Sequence, residues 1–215
     1  MLEASAVHKS YNGLKVLKGI DLLVKKGEVV SIVGASGAGK SKLLHIIGTL
    51  DQPDQGAVSI NNINLSNLGA KKLAKFRNEE IGFIFQFHNL FPEFTALENI
   101  CMPAFIKGEK NATQKAQQLL TKLGLADRAD HKPSELSGGE QQRVSVARAL
   151  INDPSIVFAD EPSGNLDSKS ADSLHQLFFD LRDELDQTFV LVTHNKELAN
   201  MADRKLEIQD GVIVQ

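Results

Sequence analysis

Short apolar runs and longer amphipathic stretches alternate along this chain, and together they predict a mixed α/β fold. In the first third, apolar runs bounded by turn residues predict strands at 2–8, 20–24, 29–33 and 58–60, and a further strand is predicted at 81–85. The run at 29–33 is almost continuously apolar, as is typical of a strand that is buried on both faces.

The middle of the chain has a different pattern, because helical spacing of apolar residues replaces the strand pattern there. From about residue 87 to residue 151 we expect helices at 97–106, 113–123 and 138–150, with no strand between them. The sequence therefore predicts a helical insertion in an α/β domain.

After this insertion, strands and helices alternate again. The predicted elements are strand 156–159, helix 169–185, strand 189–192, helix 196–201 and a closing hairpin of 206–208 and 212–214. We therefore expect a single domain over 1–215, with an α/β core from 1–86 and 152–215 and a helical subdomain from about 87 to 151.

Composition excludes several classes of function. The chain has 215 residues with a net charge of −3 and no long run of like charges, so we expect no nucleic-acid partner. Cys101 is the single cysteine and is expected to be a core residue, since it cannot form an internal disulfide. No apolar stretch is long enough to span a bilayer, and the start of the chain does not resemble a signal peptide. A role at a membrane would therefore require docking onto membrane-embedded partners.

The first chemical motif is a glycine-rich loop between the strand 29–33 and a helix that begins at Lys40. It consists of Gly34, Ala35, Ser36, Gly37, Ala38, Gly39, Lys40 and Ser41. Glycines let backbone N–H groups curl around phosphates, and the helix N-terminus favours negative charge. We expect Lys40 to reach the β- and γ-phosphates of ATP and Ser41 to offer its hydroxyl to Mg²⁺. The alternative is a glycine-rich turn with a solvated lysine.

A pair of adjacent carboxylates, Asp160 and Glu161, follows the strand 156–159. Ligands bind at this edge of open α/β sheets, and adjacent residues at a strand end point in different directions. We therefore expect Asp160 to face Mg²⁺, through water, and Glu161 to face an attacking water molecule. Two solvated acids at a strand end are the alternative.

A second anion-binding helix start lies in the run Leu136-Ser-Gly-Gly-Glu140, where Ser137, Gly138 and Gly139 open the helix 138–150. This run resembles the signature sequence of ATP-binding-cassette (ABC) ATPases. The resemblance implies a P-loop NTPase (RecA-like) core with an antiparallel β edge subdomain and an inserted α-helical subdomain. It also implies a head-to-tail homodimer, in which these three residues contact the ATP that is held by the other copy.

The resemblance extends to four more positions along the chain. Tyr11 is placed like the aromatic residue that stacks on adenine, and Gln86 like the glutamine that contacts Mg²⁺ and the attacking water. Asp167 lies in a run that resembles the loop crossing the dimer interface, and His194 resembles the histidine that contacts the γ-phosphate. Without the resemblance, Tyr11 would be read as a packing residue and His194 as a structural one.

Lys42 departs from the family pattern, which commonly has Thr or Ser after the magnesium-binding hydroxyl to hydrogen-bond the α-phosphate. We expect Lys42 either to replace that bond with a charge-assisted contact or to point away and weaken nucleotide binding.

Within the family, the runs 77–99 and 159–167 are similar to the lipoprotein-releasing (LolD-type) ATPases and, less closely, to MacB-type and FtsE-type ATPases. This implies two ATPase copies beneath two integral membrane subunits (LolC/LolE-like), at the cytoplasmic face of the inner membrane. MacB-type export and FtsE-type regulation of cell division remain alternatives. The aromatic and apolar residues Phe87, Leu90, Phe91 and Phe94 either line a groove for the membrane subunits or form core.

Non-transport ABC ATPases that act on DNA or ribosomes are a rival class. The members that act in DNA repair separate the two halves of the cassette, which carry the glycine-rich loop and the signature, with long coiled coils. The translation-associated members fuse two cassettes in one chain. This chain has one cassette and no sustained heptads, which argues against both.

Overall fold

The computed structural model describes residues 1–214, which form two β-sheets flanked by helices. The strands are β1 (Leu2–Tyr11), β2 (Leu14–Val24), β3 (Val29–Val33), β4 (Gln55–Ile60), β5 (Ile63–Asn64), β6 (Ile81–Phe85), β7 (Ile156–Asp160), β8 (Thr188–Val192), β9 (Arg204–Gln209) and β10 (Val212–Ile213). The α-helices are α1 (Lys40–Ile47), α2 (Ala70–Glu80), α3 (Ala96–Lys107), α4 (Ala112–Lys122), α5 (Gly138–Leu150), α6 (Ser168–Leu185) and α7 (Lys196–Met201).

The central sheet has the strand order β10-β9-β3-β8-β7-β6, and all of its strands run parallel except the edge strand β10. The strands β3, β7 and β8 are buried on both faces, because successive side chains of each strand enter two different cores. On β7, Val157 and Ala159 belong to a core shared with α3 to α7, whereas Ile156 and Phe158 belong to a core shared with α1 and the smaller sheet.

The parallel order of β3, β8, β7 and β6 decides where the chemistry lies. The carboxyl ends of these four neighbouring strands meet at one edge of the sheet, where ligands of open α/β sheets bind. The glycine-rich loop follows β3, His194 comes two residues after β8, Asp160 ends β7, and Gln86 follows β6. Four segments that are distant in sequence are thus brought side by side.

The smaller sheet is antiparallel, with the order β2-β1-β4-β5. Its inner face, which includes Leu2, Ile20 and Val58, packs against the core beneath α1. The backbone N–H of Lys18 donates a hydrogen bond to the carbonyl oxygen of Gly211 at 2.9 Å, which ties β2 to the β9–β10 hairpin. This contact holds the edge sheet beside the glycine-rich loop.

The predicted fold class is confirmed: the protein has an α/β core with an antiparallel edge sheet, and the α-helices α3 to α5 occupy the chain between β6 and β7. The boundaries of a helical subdomain at 87 and 151 stay a prediction. The sequence does not predict α2, because only Phe76 of its 11 residues is buried and the helix therefore has a weak apolar stripe. Within residues 1–214, no helix combines the length and the apolar character needed to cross a membrane.

Candidate functional site

The glycine-rich loop connects β3 to the first turn of α1. Gly34, Gly37 and Gly39 have φ angles of 145°, 80° and 104°, in the range that favours glycine. A Cβ atom on Gly34 would lie 2.2 Å from the carbonyl oxygen of Ile208 on β9, so no larger residue fits there. The loop therefore has the curled backbone that a phosphate cradle requires.

Lys40 lies against the loop that it is predicted to serve. Its ammonium group donates hydrogen bonds to the carbonyl oxygens of Gly34 and Ala35, at 2.8 and 2.9 Å. A cavity of about 380 Å³ opens beside it, and this cavity is here called the loop cavity. The loop cavity is lined by Val16, Ser36, Gly37, Gly39, Lys40, Ser41, Lys42 and Glu161.

Asp160 is joined directly to the loop. The hydroxyl of Ser41 donates to Oδ1 of Asp160 at 2.9 Å, and Nε2 of His45, one helical turn further along α1, lies 3.8 Å from Oδ2. Burial raises the pKa of the Asp160 carboxyl, and the hydrogen bond from Ser41 opposes that shift. A second cavity of about 310 Å³, here called the carboxylate cavity, is lined by Ser41, His45, Phe85, Gln86, Phe87, Asn89, Asp160 and Glu161.

These oxygen atoms suit Mg²⁺. Ser41 and Asp160 offer a hydroxyl and a carboxylate, the hard donors that Mg²⁺ prefers, and they meet where the loop cavity and the carboxylate cavity adjoin. Among residues 1–214, no cluster of three or more His, Cys, Asp or Glu side chains forms a site made of protein ligands alone. The arrangement therefore fits an ion that completes its ligands with phosphate oxygens and water.

Glu161 and His194 form a pair. Oε2 of Glu161 lies 2.7 Å from Nδ1 of His194 and accepts the backbone N–H of the same residue at 3.2 Å. Glu161 adopts a left-handed backbone with φ of 47°, and its N–H donates to the carbonyl oxygen of Val192 at 2.9 Å. The side chain of Glu161 is 19% exposed and that of His194 is 71% exposed. The carboxylate is thus oriented, while the imidazole remains accessible.

Gln86 is tied to the loop that follows Glu161. Its Nε2 donates to Oδ1 of Asn165 at 3.0 Å, and Nδ2 of Asn165 donates back to the carbonyl oxygen of Gln86 at 3.2 Å. A Cβ atom on Gly164 would lie 2.9 Å from Gln86 Nε2, so this glycine permits the close approach. The sequence alone does not identify Asn165 as an orienting residue, because its one signal is a polar side chain in the run that resembles the interface loop.

Tyr11 ends β1 and is held by Asp51. Its hydroxyl donates to the Asp51 carboxylate, and the ammonium groups of Lys42 and Lys9 lie 4.9 and 5.3 Å from the centroid of its ring. Burial and then the bond to Asp51 raise the pKa of Tyr11 to about 12. Lys42 lines the loop cavity, and its two predicted alternatives, a contact to the nucleotide or a side chain that points away, both stay predictions. The sequence carried no signal for the Tyr11–Asp51 pair.

The signature segment forms a separate part of the surface. Ser137 caps α5, and its hydroxyl accepts the backbone N–H of Glu140 at 3.3 Å. Asp167 caps α6 and accepts bonds from the backbone and hydroxyl of Ser170, at 3.0 and 2.6 Å. The two helix starts adjoin, since a Cβ atom on Gly139 would lie 3.1 Å from the Ser170 hydroxyl.

The four residues that are predicted to act across a dimer do not meet the phosphate loop of their own chain. In the described part of the chain, neither the loop cavity nor the carboxylate cavity is lined by any of Ser137, Gly138, Gly139 and Asp167. The start of α1 and the start of α5 thus lie on different parts of the surface of one chain.

The aromatic run after Gln86 lies largely at the surface. Phe87, Phe91 and Phe94 are 70%, 50% and 41% exposed, whereas Leu90 packs partly against the core. Phe91 borders an apolar groove of about 480 Å³, whose wall includes Pro103 and Ile106. Of the two alternatives, a groove agrees with Phe91, which borders it, and core agrees with Leu90, whereas docking of membrane subunits there stays a prediction.

Known proteins similar to this chain are ATP-binding cassettes, in agreement with the motifs described above. The sequence profile of the ABC transporter family matches residues 17–164. The chain is 61% identical to the lipoprotein-releasing system ATP-binding protein LolD of Cytophaga hutchinsonii, over 100% of this chain and 99% of that protein. It is 58% identical to LolD of Bacteroides thetaiotaomicron, over 99% of each chain. A solved dimeric structure of the ATP-binding cassette MJ0796, in a post-hydrolysis state with ADP and Pi, matches with a TM-score of 0.91 and 41% identity, over 100% of this chain and 97% of that one.

The phosphate loop, the carboxylate pair and the signature helix on this α/β fold define an ATP-binding-cassette ATPase, and the chain belongs to the ABC transporter family. Within that family, its full-length likeness is to the ATP-binding subunits of the LolD type.

Proposed function

We propose that this chain is the ATP-hydrolysing subunit of an ABC transporter that releases lipoproteins from the inner membrane, and that it acts as a homodimer closed over two ATP molecules. The observation that carries the ATPase assignment is the single sheet edge on which Lys40, the Ser41–Asp160 pair and the Glu161–His194 pair lie together. Lipoprotein release is supported by the full-length likeness to LolD proteins, which also disfavours the MacB-type and FtsE-type alternatives.

Phosphate binding is assigned to the backbone N–H groups of Gly34 to Ser41 and to the Lys40 ammonium. The ammonium group of Lys40 donates to two carbonyl oxygens of the loop, which orients it. It would also bind oxygens of the β- and γ-phosphates, which are charged and accept stronger bonds than carbonyl oxygens do. The fixed donors then stabilise the charge that develops on the transferred phosphoryl group.

Mg²⁺ would be held by the Ser41 hydroxyl, by Gln86 and, through water, by Asp160. When bound, the ion supplies neutralisation of charge on the phosphate oxygens. The Ser41–Asp160 bond and the Gln86–Asn165 pair orient these oxygen donors.

Water activation is assigned to Glu161. His194 and the carbonyl oxygen of Val192 fix the position of Glu161, so its carboxylate can polarise a water molecule that attacks in line with the γ-phosphate. The exposed imidazole of His194 is free to contact the γ-phosphate itself. Asp160 and Glu161 therefore have different tasks although they are adjacent in sequence.

The signature residues Ser137, Gly138 and Gly139 and the interface residue Asp167 are assigned to the ATP of the partner copy. The support is their separation from the cavities of their own chain and the likeness to a solved cassette dimer. Tyr11 is assigned to the adenine ring. ATP binding then closes the dimer, because the closed state binds ATP on two sides and the open state on one.

The membrane partners are proposed to be LolC/LolE-like subunits, with this chain at the cytoplasmic face of the inner membrane. The exposed Phe87, Phe91 and Phe94 and the adjoining groove offer an apolar docking surface for them. Such a surface is unfavourable in water, so its exposure supports a partner of matching apolar character.

The ATPase assignment is tested with Glu161→Gln, which removes the carboxylate charge but preserves the shape of the side chain. We expect ATP binding to be retained, steady-state turnover to fall by ~10²-fold or more, and a dimer to accumulate with ATP in sedimentation velocity. Glu184→Gln, an exposed position on α6, is the matched control and should behave like the parent. Turnover at the parental rate would remove Glu161 from the catalytic role.

The transport assignment is tested by purifying the chain from native membranes and identifying the proteins that accompany it. We expect a membrane subunit with four membrane spans and a large periplasmic domain that binds lipoproteins. A partner whose periplasmic domain binds no lipoprotein would overturn lipoprotein release and leave the ATPase assignment intact.

A further inference from the structure

The signature helix has a negative charge of its own at the end where the partner's ATP is proposed to bind. Glu140, in the first turn of α5, accepts the backbone N–H of Ser137 on Oε2 at 2.8 Å. The hydroxyl of Ser137 is 2.8 Å from the same oxygen and donates to it. The proton that Ser137 could offer to a phosphate is therefore directed at a carboxylate of its own helix.

One side chain compensates this charge. Nε of Arg128, at the end of a 3₁₀ turn that precedes the signature, donates to Oε1 of Glu140 at 2.8 Å. The Ser137 N–H and the Arg128 guanidinium hold the pKa of Glu140 at about 2, so the carboxylate is ionised at every physiological pH. Glu140 thus uses one oxygen to cap the helix and the other to bind Arg128.

An ionised carboxylate and a triphosphate repel each other when they approach the same helix N-terminus. The backbone N–H groups of Gly138 and Gly139 attract anions, but the Glu140 charge opposes that attraction at close range. Pairing with a cation on the far oxygen reduces the repulsion and leaves the capping oxygen in place.

We propose that Arg128 is a positioning residue of the composite ATP site: it neutralises Glu140, so that the Ser137 end of α5 can accept the γ-phosphate of the partner's ATP. This inference rests on the proposed homodimer. It adds a residue outside the signature motif, in a segment that the sequence analysis did not connect with the nucleotide.

The test is a double-mutant cycle in the Glu161→Gln protein, with the ATP concentration for half-maximal dimerisation measured by sedimentation velocity in low salt. Arg128→Ala should raise this concentration by about fivefold, the order expected for one partly exposed ion pair. Glu140→Gln keeps the helix cap but removes the charge. Its ATP concentration for half-maximal dimerisation should stay within about twofold of that of the Glu161→Gln reference. The decisive prediction is that Arg128→Ala with Glu140→Gln behaves like Glu140→Gln alone.

Several controls separate this role from a structural one. Arg128→Lys retains the charge and should dimerise like the reference, and the defect of Arg128→Ala should shrink in ~1 M salt, where the Debye length is about 3 Å. Lys115→Ala removes another ion-paired cation, on α4, and should have no effect on dimerisation. Melting temperatures measured without ATP show whether each variant is folded.

Failure of the inference differs from failure of the proposed function. If the double variant stays as weak as Arg128→Ala, or if Arg128→Ala dimerises like the reference, Arg128 does not act by neutralising Glu140. If the Glu161→Gln reference itself does not dimerise with ATP, the homodimer is wrong and the inference falls with it.

Discussion

At the scale of single residues, Lys42 places a cation where the family commonly has a hydroxyl. The hydroxyl of Tyr11 is bound to Asp51, and this bond fixes the position of the ring beneath the Lys42 ammonium. A cation over an aromatic face gains about 0.5–1 kcal/mol at an exposed site. Lys42 is thereby held against the ring that is proposed to contact adenine, at a position that also lines the loop cavity.

We expect Lys42→Thr and Lys42→Met each to weaken ATP binding by about three- to tenfold, because both remove a charge-assisted contact to the nucleotide. Binding is measured by isothermal titration with ATP and Mg²⁺. Lys71→Thr, which removes an exposed charge from α2, is the control and should bind ATP like the parent. Unchanged affinity in both variants would mean that Lys42 does not contact ATP.

At the scale of elements, the segment 86–95 has no regular structure and is fixed by side chains of neighbouring helices. Asn99 on α3 is fully buried; its Oδ1 accepts the N–H of Phe91, and its Nδ2 donates to carbonyl oxygens of Phe91, Phe94 and Thr95. From the other side, Arg148 on α5 donates to the carbonyl oxygens of His88 and Asn89, at 2.8 and 2.6 Å. The hydrogen bonds from Asn99 and Arg148 therefore fix the backbone of the aromatic run, whose side chains remain exposed to solvent.

We expect Asn99→Ala to lower the free energy of unfolding by ~2–4 kcal/mol, because it removes the hydrogen-bond partner of the Phe91 N–H and of the Phe94 carbonyl oxygen, which are both partly buried. Urea denaturation followed by circular dichroism measures the change. Asn111→Ala, at an α4 start where the side chain makes no capping bond, should change stability by less than ~0.5 kcal/mol. If Asn99→Ala lowers the free energy of unfolding by no more than this control, water replaces the hydrogen bonds of the Asn99 side chain.

The elements also show where sequence reasoning succeeds and where it fails. The sequence predicts a helix at 138–150, and the structure confirms these bounds for α5, where Ser137 and Glu140 form a capping box at its start. In contrast, the sequence does not predict α2. Only one residue of this helix is buried, so the helix lacks the regular spacing of apolar residues by which an amphipathic helix is recognised. The Tyr11–Asp51 and Gln86–Asn165 pairs join positions 40 and 79 apart, and only the tertiary fold brings such partners together.

At the scale of the whole molecule, the residues of the ATPase site and the proposed docking surface meet at the same edge of the central sheet. Gln86 lines the carboxylate cavity, and the exposed aromatic run begins at the next residue, Phe87. On α5, Gln142 donates to the carbonyl oxygen of Phe85, the last residue of β6, and Arg148 donates to that of His88. The signature lies at the start of the same helix. A change at the proposed ATP interface can thus reach the docking surface through one helix, which supports an output in the form of motion passed to a membrane partner.

This arrangement predicts that Phe91→Asp separates the two activities. Phe91 is 50% exposed, and its ring meets that of Phe94 edge-on, with 6.1 Å between the ring centroids. An aspartate at this position is therefore solvated and disturbs little of the core. We expect basal ATPase activity and the melting temperature to stay close to those of the parent, whereas stimulation by the co-purified membrane subunits in liposomes is lost. Phe105→Asp, 58% exposed on α3, is the matched control and should retain stimulation.

Each result of that experiment has a distinct physical meaning. Equal loss of both activities together with a lower melting temperature would show that Phe91 serves folding. Full stimulation in Phe91→Asp would place the partner elsewhere, because a carboxylate at the centre of an apolar contact costs several kcal/mol unless it is paired. Selective loss of stimulation would show that the aromatic run after Gln86 transmits the work of ATP hydrolysis without taking part in it.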